Sequence, residues 1–201
     1  HLKVAKDVKD TGSEAMRYGN QVHKAAEDFI KGGAPIPKKF DYMNPIVNSL
    51  NDIEGEKHCE LRLGVSYDEG VYKPTGFFAK DVWYRGIADL IIVDGEKAFL
   101  VDYKTGKNAK YADTAQLDML AAATFTHFPE VTHIKSALAY VVSNEFIKKE
   151  HSRDLQNSYY ATFDEPLESL AAAEEHDVWN AKSGPLCAYC PVTSCEHNRK
   201  R

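Results

Sequence analysis

The stretch RGIADLIIVDGEKAFLVDYK, residues 85–104, decides the fold. Two runs rich in β-branched and aromatic residues, 82–93 and 96–103, flank Asp94-Gly95, and an Asp-Gly pair between such runs is the strongest short-range sign of a hairpin. A two-residue turn there sets Val93 opposite Glu96, Leu100 opposite Asp89 and Asp102 opposite Ile87. Opposed residues share a face and side chains alternate, so Asp89, Asp102 and Lys104 project from one side of the sheet. Asp89 and Asp102 become diagonal neighbours with Cβ atoms about 7–8 Å apart or less, within reach of one cation. Ile87, Ile91 and Leu100 on one side, with Leu90, Ile92, Phe99 and Val101 on the other, imply that both faces are buried. Two carboxylates held together there repel and lose hydration, which is costly without a compensating cation. Magnesium suits one or two carboxylates completed by water and phosphate, and an ammonium at Lys104 can hold a water and offset charge on a phosphate. Taken alone, the two carboxylates fit strand-end ion pairs with Arg85 or Lys104 equally well.

Outward from the hairpin, Cys59, Leu61, Leu63 and Val65 alternate with polar residues from Lys57 onward, a strand that carries Glu60. Ser13 caps a helix running to about Ile30, ended by Gly32-Gly33, and its positions Gly19, His23, Ala26 and Ile30 share one face, which turns His23 inward. A second helix buries Met43, Ile46, Val47 and Leu50. Beyond the hairpin, 111–128 reads as a helix, 134–142 as a strand, 159–163 as a short strand, 167–179 as a last helix and 183–201 as a cysteine-bearing tail. Helices, three strands, helix, strand is the order of an α/β mixed sheet with helices packed on it. No linker divides the chain, so 1–182 is expected to form one domain with the tail 183–201 packed on it.

Composition agrees with a globular protein: 43% of the 201 residues are hydrophobic and 27% charged. Apolar runs stop short of the roughly 20 residues a bilayer span needs, and no leader opens the chain, so no membrane partner is expected. A net charge of −5 excludes coating of nucleic acid by bulk attraction but not a local basic groove. Of four cysteines, Cys187, Cys190 and Cys195 fall within nine residues, which points to a reducing compartment, by default the cytoplasm, rather than a disulfide framework.

Four strings then occur in a telling order: GNQVHKAAEDF around His23, RGIADLI around Asp89, VDYKTGK around Asp102 and Lys104, and QLDMLAAA from Gln116. Together they resemble the RecB-like nucleases of the PD-(D/E)XK superfamily, alongside phage exonucleases and CRISPR-associated RecB-like nucleases. The resemblance runs from about Tyr18 to Leu120. It implies a restriction-endonuclease-like core, a four-stranded mixed sheet flanked by helices. His23, Asp89 and Asp102 would be metal ligands, with the backbone carbonyl of Tyr103 completing the shell. Lys104 would be the catalytic lysine, Gln116 would orient the site or contact DNA, and Glu60 would be an extra acidic residue. Gly86 matches the family glycine ahead of the first acid. Magnesium or manganese is the implied cofactor and DNA, single- or double-stranded, the implied substrate. Hydrolysis by a phage or bacterial exonuclease of recombination or repair follows, with a recombination or helicase protein as partner and the host cytoplasm as location if phage-encoded. The alternatives are a non-catalytic DNA- or partner-binding module of the same fold and a structure-selective endonuclease.

Lys107, Lys110 and Tyr111, just after the lysine strand, are the candidate DNA contacts. The tail, Cys187-x-x-Cys190-Pro191 with Cys195, resembles the terminal cluster of RecB-like nucleases that hold an iron–sulfur centre, but the fourth cysteine expected ahead of the histidine motif is missing. A vestigial cluster is the favoured reading. Zinc held by Cys187, Cys190, Cys195 and His197 is second and an iron–sulfur centre third.

Overall fold

The computed structural model describes residues 12–110 and 112–198. Its centre is a six-stranded mixed sheet in the order β2-β1-β3-β4-β5-β6, made of β1 (Glu56–Asp68), β2 (Val71–Thr75), β3 (Val82–Asp94), β4 (Lys97–Lys104), β5 (His133–Tyr140) and β6 (Glu145–Ser152). Six strands replace the expected four. Among the described residues only β4 and β5 pair in parallel, and the crossover between them carries α3 (Ala115–His127), as a parallel connection requires.

The β3–β4 hairpin closes differently from the expectation. Asp94 pairs with Lys97 and Leu90 with Val101, so the two loop residues are Gly95 and Glu96. Gly95 takes φ +56 at the first loop position, a conformation that costs a glycine little. The register therefore slips by two residues from the anticipated one. A two-residue slip leaves every side chain on its original face.

α1 (Glu14–Gly32) begins where the Met16 amide donates to the Ser13 hydroxyl at 3.1 Å. Val22, Ala25 and Ala26 of α1 and Ile46, Val47 and Leu50 of α2 (Asn44–Asn51) are buried with Cys59, Leu90, Ile92, Val101 and Tyr103. The alternate residues Ile91, Leu100 and Leu138 are fully buried as well, on the side where α3 packs. α3 is apolar nearly all round, with Leu117 through Phe125 buried except Asp118, as a helix covered on several sides must be.

Residues 159–163, expected as a strand, instead fall largely in α4 (Gln156–Ala161). The reason is tertiary: Tyr160 is fully buried, its hydroxyl lies 2.9 Å from the Thr126 hydroxyl, and Gln156 Nε2 donates to the Ala122 carbonyl at 3.0 Å. Strand propensity of an aromatic run yields to that docking. The long helix expected over 111–128 starts only at Ala115, and the helix expected over 167–179 is α5 (Asp164–Glu175), the last α-helix among the described residues.

The chain divides into two compact units, one spanning Tyr18–Thr162 with the whole sheet, the other holding α5 and the cysteine-bearing tail. Among the described residues no helix is long and apolar enough to cross a membrane.

Candidate metal centre

The β3–β4 ladder stops at Leu90 and Val101, and the strands part beyond that point. In the fork, the Tyr103 amide donates to Asp89 Oδ2 at 2.7 Å instead of to a backbone carbonyl. The other oxygen, Asp89 Oδ1, stands 3.2 Å from Nδ1 of His23, delivered by the inward face of α1. Nε2 of the same ring lies 3.1 Å from the Tyr103 carbonyl. An acceptor at each ring nitrogen favours the doubly protonated imidazole.

Glu60 completes the group. Cys59 pairs with Leu90 and Leu61 with Ala88, so Glu60 sits across from Asp89 on the neighbouring strand. Its φ is +53, a left-handed conformation in the middle of a strand, which costs a non-glycine residue on the order of 1–3 kcal/mol and is typical of sites held in place by their surroundings. One ligand atom each from His23, Glu60 and Asp89 all lie within 4.8 Å of one another, and among the described residues no other group of three His, Cys, Asp or Glu side chains does so. Asn20, His23, Lys24, Glu27 and Glu60 line an open recess over it.

Asp102 lies outside that trio. Its Oδ2 is 2.6 Å from Nζ of Lys104, which in turn donates to Gln116 Oε1 of α3 at 3.2 Å. Asp102, Lys104 and Gln116 thus form a chain at the end of β4, beside the His23–Glu60–Asp89 group.

The electrostatics show negative charge in surplus. Burial opposes a charged imidazole at His23, yet the hydrogen bond to Asp89 and the fields of Asp89, Asp102 and Glu60 outweigh it and raise its pKa. Burial, then the Asp89 charge, raise Asp102 against the pull of Lys104. Burial and Asp89 raise Glu60 in the same way. Carboxylates held back from ionising by burial and by neighbouring carboxylates are relieved by a cation. Once the His23 ring gives up a proton, its imidazole nitrogen joins carboxylate oxygens and a nearby backbone carbonyl in a donor set that fits a hard divalent ion.

The other anticipated residues are placed as follows. Lys107 and Lys110 follow β4 in an exposed stretch, and Tyr111 lies outside the described residues. In its own unit, the tail turns Cys187, Cys190, Cys195 and His197 toward one pocket shared with Val178 and Trp179, but they do not converge as the His23 trio does. Sequence reading passed over Asn20, Lys24 and Glu27. Their spacing of three and four residues around His23 puts them on one helix face, and that signal was available.

Against known proteins, residues 1–195 match the family model of the PD-(D/E)XK nuclease superfamily. The chain belongs to the PD-(D/E)XK nuclease superfamily. Among solved structures, a Eubacterium rectale protein provisionally described as an exonuclease shares 13% identity at a TM-score of 0.50, covering 98% of this chain and 79% of the other. SSO0001 aligns over 98% of this chain and 93% of its own at 13% identity, with a TM-score of 0.41. No curated protein matches the sequence. Membership in this superfamily makes nucleic acid hydrolysis the activity to explain, and the fold that carries it is the six-stranded mixed sheet.

Proposed function

We propose that the protein is a divalent-metal-dependent DNA exonuclease of the RecB-like branch, serving phage or bacterial recombination or repair. The observation that carries this reading is the trio His23, Glu60 and Asp89, whose ligand atoms lie within 4.8 Å of one another beside the Asp102–Lys104 pair. The RecB-like placement is supported by the four strings around His23, Asp89, Asp102 and Gln116, and the exonuclease assignment by the structural likeness to the Eubacterium rectale protein.

His23, Glu60 and Asp89 would hold the cation, with Asp102 and the Tyr103 carbonyl at its edge. A bound magnesium or manganese ion supplies Lewis acidity toward a phosphate oxygen and lowers the pKa of a water. Lys104 holds that water by donating from Nζ, and Gln116 and Asp102 fix the ammonium in place. The water oxygen bonds to phosphorus as the bond to the leaving sugar oxygen breaks, the water's proton passing to solvent and the sugar oxygen taking one up from it. The ammonium of Lys104 offsets the charge that builds on the phosphate oxygens. Lys107 and Lys110 extend positive charge along the emerging strand.

The deciding experiment incubates the protein with linear and covalently closed DNA, with magnesium, manganese or chelator. Degradation of linear DNA alone, abolished by chelator and by Asp102→Ala, is expected. Nicking of closed circles would replace the exonuclease assignment with an endonuclease. Inertness with both metals would leave a DNA- or partner-binding module of the same fold.

A further inference from the structure

One patch in the sheet unit is unexplained by hydrolysis. The loop between β2 and β3 turns on itself, with the Ala79 amide donating to the Gly76 carbonyl at 2.9 Å, and presents Phe78 to solvent at 73% exposure. Phe77 meets Phe78 edge-on at 5.0 Å between ring centres. The guanidinium of Arg62, on β1, lies 5.7 Å from the Phe77 ring and 5.8 Å from the Phe78 ring, and that of Arg85, on β3, lies 5.9 Å from Phe78.

Both arginines are exposed, and neither forms an ion pair among the described residues. In a chain carrying net charge −5, two unneutralised guanidiniums held over a solvent-facing aromatic ring form a local inversion of charge. Packing does not account for it, because a phenylalanine at this exposure gains little from burial. Lys80, also exposed, belongs to the same loop.

The patch is continuous with the metal centre. Arg85, Ile87 and Asp89 are alternate residues of β3, Ile87 is 44% exposed, and Arg62 pairs directly with Ile87. Four steps of strand separate Arg85 from Asp89, about 13–14 Å, a span of only a few nucleotides of an unpaired strand. A flat aromatic ring flanked by guanidiniums is the chemistry that stacks on an unpaired base while neutralising its neighbouring phosphates. A paired base inside a duplex offers no free face to it.

We infer that Phe78, Arg62 and Arg85 form a stacking platform for single-stranded DNA, which leads an unpaired strand along β3 toward His23, Glu60 and Asp89. The direction of travel rests on the nuclease reading. The platform itself does not.

The test measures fluorescence anisotropy of labelled dT20 and of a 20-base-pair blunt duplex in chelator, where nothing is cut. Phe78→Ala is expected to weaken dT20 binding at least fivefold, the low end for one lost base stack, with duplex affinity changed less than twofold and Phe78→Trp restoring dT20 binding. The Arg62→Ala, Arg85→Ala double variant is expected to flatten the slope of log affinity against log salt by about 1.4, two single-strand phosphate contacts. Unchanged dT20 affinity in both variants, or equal losses on strand and duplex, would overturn the platform. If the wild type binds dT20 through Phe78 yet hydrolyses nothing with magnesium, the nuclease reading falls and the platform stands. An active nuclease whose Phe78→Ala variant binds dT20 normally is the reverse case.

Discussion

Around His151 the chain assembles nearly the same functional groups as around His23, with opposite results. Nε2 of His151 lies 2.7 Å from the Ser136 hydroxyl, its Nδ1 lies 3.4 Å from Asp118, and Lys149 closes on the other Asp118 oxygen at 2.7 Å. On paper this is a serine–histidine–aspartate series, but the His151 side chain is wholly buried and Ser136 is 2% exposed, so no substrate reaches the hydroxyl. Burial drives the His151 pKa down to about 4 despite Asp118, and the ring is neutral near pH 7. One carboxylate there answers one ammonium. At His23 three carboxylates crowd an imidazole and one lysine beneath an open recess, and the histidine moves the other way. Perturbed titration occurs at both places. Surplus charge together with an opening to solvent occurs only at the one we assign to chemistry.

That contrast can be broken most forcefully at Asp102. Asp102→Asn is expected to lower magnesium-dependent DNA hydrolysis on the order of 10³-fold or more, while the melting temperature holds or rises because a crowded, partly buried charge is gone. A fall in melting temperature with activity intact would make Asp102 a structural residue like Asp118. His151→Ala should do the converse. Loss of the buried ring and stranding of Ser136 are expected to cost about 2–4 kcal/mol in urea unfolding, with hydrolysis below the new melting temperature within twofold of wild type.

Acid separates the two histidines by sign. The unfolded His151 takes up its proton near 6.5 and the folded one only near 4. Its contribution to stability is therefore complete above 6.5 and lost as pH falls between those values, at about 1.4 kcal/mol per pH unit and on the order of 3 kcal/mol in all. His23, raised when folded, contributes stability that is complete below 6.5 and fades as pH rises through its folded value. Glu60 and Asp102, raised carboxylates, lower stability above their folded pKa values and so offset part of the acid loss. Unfolding midpoints of wild type and His151→Ala from pH 7 to pH 4.5 should converge as pH falls. Parallel curves would mean that His151 titrates normally. The smallest effect is expected at Gln116, where Gln116→Ala frees one side of Lys104 and should slow hydrolysis about tenfold without moving the melting temperature.

Much of the fold could be read from residues whose local chemistry and tertiary role agree. The β3–β4 hairpin, the inward face of α1 and the buried stripe of α2 are of this kind. What escaped has specific causes. β6 reads EFIKKEHS, and its charges suit an edge strand that must not pair further, which erases the apolar alternation by which a strand is recognised. β2 is five residues long and joined to β1 through Glu69-Gly70, both at positive φ, where the sequence shows only one glycine. At the centre, His23, Asp89, Asp102 and Lys104 were visible as residue types on the correct elements. The prominence of Glu60 was not, because its place beside Asp89 depends on the partner strand and on a left-handed backbone that no neighbouring glycine announces.

Asp89 fastens the forked strands with one oxygen and faces His23 with the other. Closure of the sheet and readiness for a cation are thereby a single event. A chain whose strands have not zipped lacks both the fork and the aligned carboxylate, so an unfinished molecule carries no blade, and any competence to cut arrives only with the completed architecture.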